Sequence, residues 1–443
     1  MTSHRQIRFA AHFPGVNQQT VWSDPASGSQ IAFESFRRFA EVAERGLMDY
    51  VFLAEGLRLR EQNGRLHELD VAGRPNTVGI LSALAAVTEH IGLIGTLSAT
   101  FNEPADLARQ LQTLNVLSNG RAGWNIVTTS NEFTGANFRR GYYLPPEQRY
   151  PRAQAVVDAA RGIWRAKPGD PATEVATGHE FFEIRTTGTI PAEPGFEPVL
   201  VQAGMSEVGR DFAATNADVI FSHYADLEQA RAFREDVSRR LLERGRRPED
   251  LKVMPATAFA IGDTPEEAQE RSLEIRRAQV SPQTAISYIE QVWGRDLSDH
   301  DPDGPLPSFD PADDHVAAGW VNTYQDRHAR AAAWRELSER EHLSIRDIAI
   351  REYGGPNFVG TPEQIADEMI RAVDGGAADG FTLIGHLVPD GLLEFVERVV
   401  PILQERGAYR TEYPERASLR ELMGTRAAPF DVDRVRSRPE ARV

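Results

Sequence analysis

The chain has 443 residues, no cysteine, and a formal net charge of -16 from 49 Lys and Arg against 65 Asp and Glu. The lack of cysteine excludes disulfides, thiolate zinc sites, iron–sulfur clusters and thiol nucleophiles. An acidic surface repels nucleic acid and anionic membranes, and no apolar run approaches the roughly eighteen residues of a membrane span, so neither partner is expected and the cytoplasm is the default location. From the amino terminus, Ile7–Phe13 reads as a strand. Ile31–Arg45 is predicted as an amphipathic helix with Phe33, Phe36, Phe39, Ala40 and Ala43 on one face and Gly46 as its C-terminal cap. Tyr50–Ala54, Ile91–Leu97 and Arg121–Val127 read as buried strands, separated by helices at Thr77–Thr88 and Ala105–Leu117. Thr128–Pro146 is irregular, a helix runs from about Arg149 to Arg165, and Pro168–Gly195 is a loop or hairpin excursion. Val199–Gln202, Val219–Ser222 and Lys252–Ala260 resume the strands, with helices at Ser206–Thr215 and Leu227–Arg244. Further on, Thr361–Val373 is helical, Gly380–Ile384 is a strand, and Gly391–Leu403 is helical.

Eight such strands joined by helical crossovers must run parallel, and eight parallel strands close into a (β/α)8 TIM barrel of the α/β class. An open doubly wound sheet is the competing architecture. The largest insertion falls between strands seven and eight, about 263–360, with its own helices at Thr264–Arg277, Pro282–Gln291 and Asp326–Arg340. It reads as a lid over the barrel mouth, and its Asp-, Pro- and Gly-rich segment Asp299–Asp314 as a mobile surface loop. Residues 1–425 are read as one barrel domain and 426–443 as a tail. The charged segment beyond about Arg406 lacks a core pattern, which suggests packing on a partner subunit.

Barrel active sites lie at the C-terminal ends of the strands. The candidates there are His12, Asn17 and Trp22 after the first strand, Glu55 after the second, Ser98 and Thr100 after the third, Asn125 on the fourth, Gly204, Met205 and Ser206 after the fifth, His223 after the sixth and His386 after the eighth. Ser206 suits a helix N-cap, where unpaired amides would bind a phosphate; a plain capped turn is the alternative, and Glu207 argues mildly against an anion. The small hydroxyls and the amide suit the edge of a planar ring, although each alone is more often a capping residue. The motifs of a built-in nicotinamide site, a P-loop, a zinc protease and a serine hydrolase are missing, and no metal site is expected, since Asp299, Asp301 and Asp303 lack the rest of a calcium loop.

Several blocks resemble the bacterial-luciferase-like superfamily, in its nitrilotriacetate, EDTA and dibenzothiophene-sulfone monooxygenase branch. They are HFPGVNQQTVWSDP (12–25), DYVFLAEG (49–56), SATFNEPADLARQLQTLNVLSNGRAGWNIVTT (98–129), QRYPRA (148–153), VQAGMSEVGRDFAATNADVIF (201–221), VGTPEQIADEM (359–369) and VVPILQERG (399–407). The resemblance implies a barrel that binds FMN and receives it as FMNH2 from a separate NAD(P)H:flavin reductase. It further implies that O2 is activated as a C4a-(hydro)peroxyflavin, with cleavage of a C–N, C–S or C–halogen bond among the outcomes. An F420-dependent dehydrogenase on the same barrel is the alternative. By the same resemblance the Gly204-Met205-Ser206 turn holds the FMN phosphate, Glu55, Asn125, Tyr150 and either Ser98 or Thr100 contact the flavin, and His12 is catalytic. Asn17, Trp22, His223 and His386 fall on the substrate side, and a homodimer or homotetramer is expected. Three departures are visible: Glu55 replaces the usual Asp, Pro146 stands where the family often has His, and Met205 where small residues are common.

Overall fold

The computed structural model describes residues 4–13, 20–21, 23–59, 61–62, 65–66, 73–129, 132–138, 144–165, 175–186, 188, 190–191, 197–223, 226–313, 326–352, 355, 357–431 and 435. Eight parallel strands form a closed barrel: β1 (Arg8–His12), β2 (Tyr50–Leu53), β3 (Gly92–Ser98), β4 (Ala122–Val127), β5 (Val199–Gln202), β6 (Val219–His223), β7 (Lys252–Ile261) and β8 (Gly380–Ile384). Each pairs with the next, and β8 returns to β1 through Ala10↔Thr382. The closure explains the apolar runs read from the sequence. Strands covered on both faces have no solvent side to make polar, and β2 and β3 are buried at every position. The short strand Phe358–Gly360 extends the sheet along the outer end of β7, and Val175–His179 pairs with Phe182–Thr186 as an antiparallel hairpin inside the expected excursion.

Helices α1 (Phe33–Arg45), α2 (Thr77–Ala85), α3 (Pro104–Leu117), α4 (Pro146–Trp164), α5 (Glu207–Asn216) and α6 (Leu227–Glu243) follow the first six strands. Within α1, Phe36, Phe39, Ala40 and Ala43 are buried as expected, but Phe33, the first residue of the helix, is 38% exposed. Gly46 follows the helix without taking the left-handed conformation, which falls to Leu47 (φ 55). Gly46 is there for room, since a Cβ would sit 2.6 Å from Val396 Cγ2.

Between β7 and β8 run α7 (Pro265–Gln279), α8 (Pro282–Trp293), α9 (Arg327–Glu341), α10 (Ile345–Glu352) and α11 (Pro362–Asp374). Tyr288, Ile289, Trp293, Trp334, Ile345 and Ile348 give α8, α9 and α10 a core of their own. The segment expected to be a mobile loop is fastened to that core. Leu306 is buried in it, Trp293 Nε1 donates to Phe309 O at 2.9 Å, and the Ile345 N–H donates to Gly304 O at 2.9 Å.

Helices α12 (Leu393–Arg398), α13 (Val400–Glu405) and α14 (Leu419–Met423) follow β8. The segment beyond Arg406, which reads from the sequence as lacking a core pattern, closes the floor of its own barrel. Leu419 and Met423 are fully buried among Ala10, Tyr50, Ile94, Val199, Val201, Val219 and Met254. Leu419 N–H donates to Gly120 O at 3.0 Å, Tyr413 Oη donates to Met48 O at 2.6 Å, and Arg420 pairs with the buried Asp218 at 2.6 Å. Burying one leucine in this way stabilises the fold by roughly 1.5–3 kcal/mol.

Candidate active site

The open end of the barrel lies opposite this plug, where the strands finish. Side chains alternate inward and outward along each strand, so the register decides what lines the mouth. His12, Phe52 and Ile94 lie level on β1, β2 and β3. Thr96, Asn125 and Val201 lie level on β3, β4 and β5.

His12 packs edge-on against Phe52, with ring centroids 4.9 Å apart, and faces Phe221 at 6.4 Å. Both ring nitrogens are shielded, and neither has a hydrogen-bond partner among the described residues. Burial, reinforced by the charge of Arg74, pushes the imidazole pKa down to about 3, so the ring is neutral. Thr96 Oγ1 accepts from Asn125 Nδ2 at 3.0 Å, and Asn125 Oδ1 is buried without a partner. Native interiors seldom leave such atoms unpaired, so these three unpaired atoms on β1 and β4 point to a polar molecule that belongs against them.

On the β2–β3 side, Glu55 Oε2 accepts the Ser98 N–H at 2.8 Å. Burial raises the Glu55 carboxyl to about 7, against the opposing pull of that bond and of Arg74. Ser98 Oγ shares a hydrogen bond with Thr129 Oγ1. The Thr100 hydroxyl donates to Thr128 O at 2.7 Å. Of the two hydroxyls, that of Thr100 is thus already turned to the backbone.

Ser206 is the N-cap of α5, its Oγ accepting the Gly209 N–H at 3.1 Å. The local cause is the sequence itself: a short polar side chain at the end of a buried strand, two residues after Gly204. Tyr150, from α4, closes the corner. Its hydroxyl accepts from Gln202 Nε2 at 3.3 Å, and the Gly204 N–H donates to Gln202 Oε1. A Cβ on Gly204 would stand 2.6 Å from Tyr150 Oη, and one on Gly209 2.7 Å from it. A side chain at Gly209 would also meet the Gly204 backbone at 2.9 Å, whereas one at Gly204 meets only side-chain atoms, so Tyr150 would have to move to admit it. The first-turn amides of α5 beyond Ser206 have no intrahelical acceptor and carry the positive end of the helix dipole. Met205 is 40% exposed at the tip. Pro146, where the resemblance suggests a histidine, starts α4, a position that suits proline.

The remaining candidates divide. His223 ends β6, level with Ala256, and is exposed. His386 is set among Arg271, Glu394 and Asp24; burial and then Arg271 lower its pKa to about 4, and its carbonyl accepts the Val21 N–H at 2.8 Å. Its surroundings differ from those of His12. Asn17 and Trp22 lie outside the described residues. Two residues escaped the sequence reading, Thr96 and Arg74, while Gln202 opens the Gln202–Ser206 run that the sequence had marked. The Thr96–Asn125 spacing across neighbouring strands was available as a signal; Arg74, in an irregular connection, gave none. Among the described residues no cluster could hold a metal ion, and no helix is long and apolar enough to cross a membrane.

The geometry fits a flavin mononucleotide: a glycine corner at the α5 N-terminus for a phosphate, and the unpaired Asn125 Oδ1 for the edge of a planar ring. Comparison with known proteins leads to the same family. The chain is 36% identical over 447 residues to N-acetyl-S-(2-succino)cysteine monooxygenase of Bacillus subtilis (strain 168), covering 96% of this chain and 98% of that protein. It is 33% identical to nitrilotriacetate monooxygenase component A of Aminobacter aminovorans, covering 91% and 92% of the two chains. The crystal structure of a riboflavin lyase with modified FMN and riboflavin superposes with a TM-score of 0.78 at 26% identity, covering 97% of this chain and 98% of that one. Residues 13–379 match the luciferase-like monooxygenase family, and the chain belongs to it.

Proposed function

We propose that this chain is the oxygenase half of a two-component system: it takes reduced FMN from a separate NAD(P)H-dependent flavin reductase and uses O2 to oxygenate a small organic substrate. The observation that carries the reading is the combination, at one barrel end, of the Gly204–Ser206–Tyr150 corner with the unpaired atoms of His12 and Asn125. The name of the nitrilotriacetate relative, component A, supports the division of labour.

Bound reduced flavin would supply the electrons that spin-paired organic substrates cannot readily pass to O2. The α5 amides and Ser206 would hold its phosphate, and Asn125 Oδ1 would accept an N–H from the ring edge. Phe52 and Phe221 make the mouth apolar and keep water from the reacting centre. His12, neutral at physiological pH, orients the substrate and holds or passes a proton at one ring nitrogen. The α8–α10 unit is read as a lid over this mouth, and the oligomer as a homodimer or homotetramer. Substrate oxygenation with loss of a C–N, C–S or C–halogen bond is the expected outcome.

The test feeds the purified chain with FMN, NADH and a generic flavin reductase, and follows oxygen uptake and product by mass spectrometry across sulfur-, nitrogen- and halogen-bearing substrates. Saturable FMN uptake and O2-dependent product are expected. Replacing His12 by Ala should leave FMN uptake unchanged and lower the fraction of consumed oxygen recovered in product. Turnover that persists without O2 would point to hydride transfer by a deazaflavin instead, and absence of any flavin binding would end the reading.

A further inference from the structure

Three strands of the mouth share one cover. After β4 the chain forms a 3-10 helix, Glu132–Asn137, which ends against Phe138. This strap reaches back over the ends of the two preceding strands. Asn137 Nδ2 donates to Leu57 O, beyond β2, at 2.8 Å. Phe138 stacks on Phe101, beyond β3, with ring centroids 4.4 Å apart and planes 15° from parallel. Thr134 and Gly135 are buried, so the strap lies down on the mouth instead of standing off it. Glu55, Ser98 and Asn125 belong to the same three strand ends.

The two sides of these contacts differ in rigidity. The Phe101 platform is held from α4: Arg152 Nε donates to Ala99 O and to Thr100 O, both at 3.0 Å, and Asn102 Nδ2 donates to Ser98 O at 2.8 Å. The strap's own fastenings are lighter. Asn137 is exposed, so water can take its place on the Leu57 carbonyl, and both stacked rings are half-buried. A hydrogen bond that water can replace adds little to closure.

The chain leaves β4 through a strained residue. Thr129 has φ 43, in the left-handed region that β-branched side chains seldom enter. Its hydroxyl shares a hydrogen bond with that of Ser98, and the Thr100 hydroxyl donates to the carbonyl of Thr128 just before it. Strain of this kind persists only where neighbours hold it, and it recurs at segments that switch. Ser98 is fully buried and Asn125 is 2% exposed, with its Oδ1 shielded. A molecule the size of a flavin reaches them only if the cover moves.

We propose that Glu132–Phe138 is a gate: held shut by Asn137 on Leu57 and Phe138 on Phe101, it swings from the Thr129 turn to admit and release flavin on the β2–β4 side of the mouth. The inference rests on the oxygenase reading and adds an entry route to it, since an oxygenase supplied with flavin from outside needs such an opening.

The experiment uses the full chain with oxidised FMN as the probe. Stopped-flow fluorescence gives the association and dissociation rates, and titration gives the Kd. Asn137→Ala and Phe138→Ala each remove one fastening. Each should speed association and dissociation together by about two- to twelvefold, the weight of one such contact in the opening equilibrium, with Kd within about threefold of the parent. The parallel change is the signature, because a gate that does not touch the ligand alters access and not affinity. A wall of the flavin site would behave otherwise: dissociation alone would rise and Kd would weaken in proportion, and that result overturns the gate. Unchanged rates in both variants overturn it as well. If Phe138→Ala does not fold, Asn137→Ala, at an exposed position, decides. A parent chain that takes up no FMN at all would strike the oxygenase reading itself, and the gate with it.

Discussion

Substituting Gly204 by Ala tests the phosphate corner directly. The added methyl carbon would lie 2.6 Å from Tyr150 Oη and 2.8 Å from Gln202 Nε2. Both contacts are well inside ordinary packing distance, so the tyrosine must retreat by more than roughly half an ångström. In the free protein it has somewhere to go, because Tyr150 is only partly buried. With a phosphate in the corner it has not, so the strain should appear in binding. Overpacking of this kind costs about 1–3 kcal/mol, which converts to an FMN affinity weakened by about fivefold to about 150-fold. The assay is quenching of FMN fluorescence on titration, with thermal melting of the free protein as control. Tyr150→Phe removes the nearest atom, so in that background the Gly204→Ala penalty should shrink by about 1 kcal/mol or more. A Gly204→Ala protein that melts normally and binds FMN within twofold of the parent, or an equal penalty in both backgrounds, would refute the assignment of this corner to the phosphate.

Three further outcomes are expected. Leu419→Ala empties part of the barrel floor and should destabilise the protein by about 2–5 kcal/mol in urea unfolding; a loss under about 1 kcal/mol would mean that the plug contributes little. Glu55 holds its proton up to about 7 in the folded chain against 4.5 ordinarily, so its contribution to stability is complete below 4.5 and is lost as pH rises through 7. Glu55→Gln removes that dependence and should gain stability relative to the parent, on the order of 2 kcal/mol, between pH 5 and 8; parallel pH profiles would contradict the raised value. His386 runs the other way: its pKa falls from 6.5 to about 4, so its contribution is full above 6.5 and is lost as pH drops toward 4. His386→Asn should therefore flatten the acid side of the stability profile, and an unchanged slope would show that the ring is not buried in its neutral form.

The barrel was legible because its strands carry a strong local signal. YVFL and GLIGTLS are apolar throughout, as strands hidden on both faces must be. Ser206 was legible as a cap because capping is settled within four residues, and the structure puts its hydroxyl on Gly209 N–H. Phe33 was misplaced because periodicity does not say where a helix enters the core. The floor plug was missed for a related reason: Tyr409, Leu419 and Met423 are too widely spaced to show a period, and their burial depends on strands hundreds of residues earlier. Arg74 was invisible on the same grounds: it sits in an irregular connection, and its bond to the Glu55 carbonyl depends on where that connection crosses the end of β2.

The floor plug bears on the order of assembly. Residues 419–423 leave the ribosome after every strand of the wall has been made. Until they arrive, the lower rims of Tyr50, Ile94 and Met254 have no cover, and a nascent cylinder presents a greasy ring to its surroundings. A chain stalled or clipped before Leu419 would then be a substrate for chaperones or a seed for aggregation, even with its upper chemistry intact.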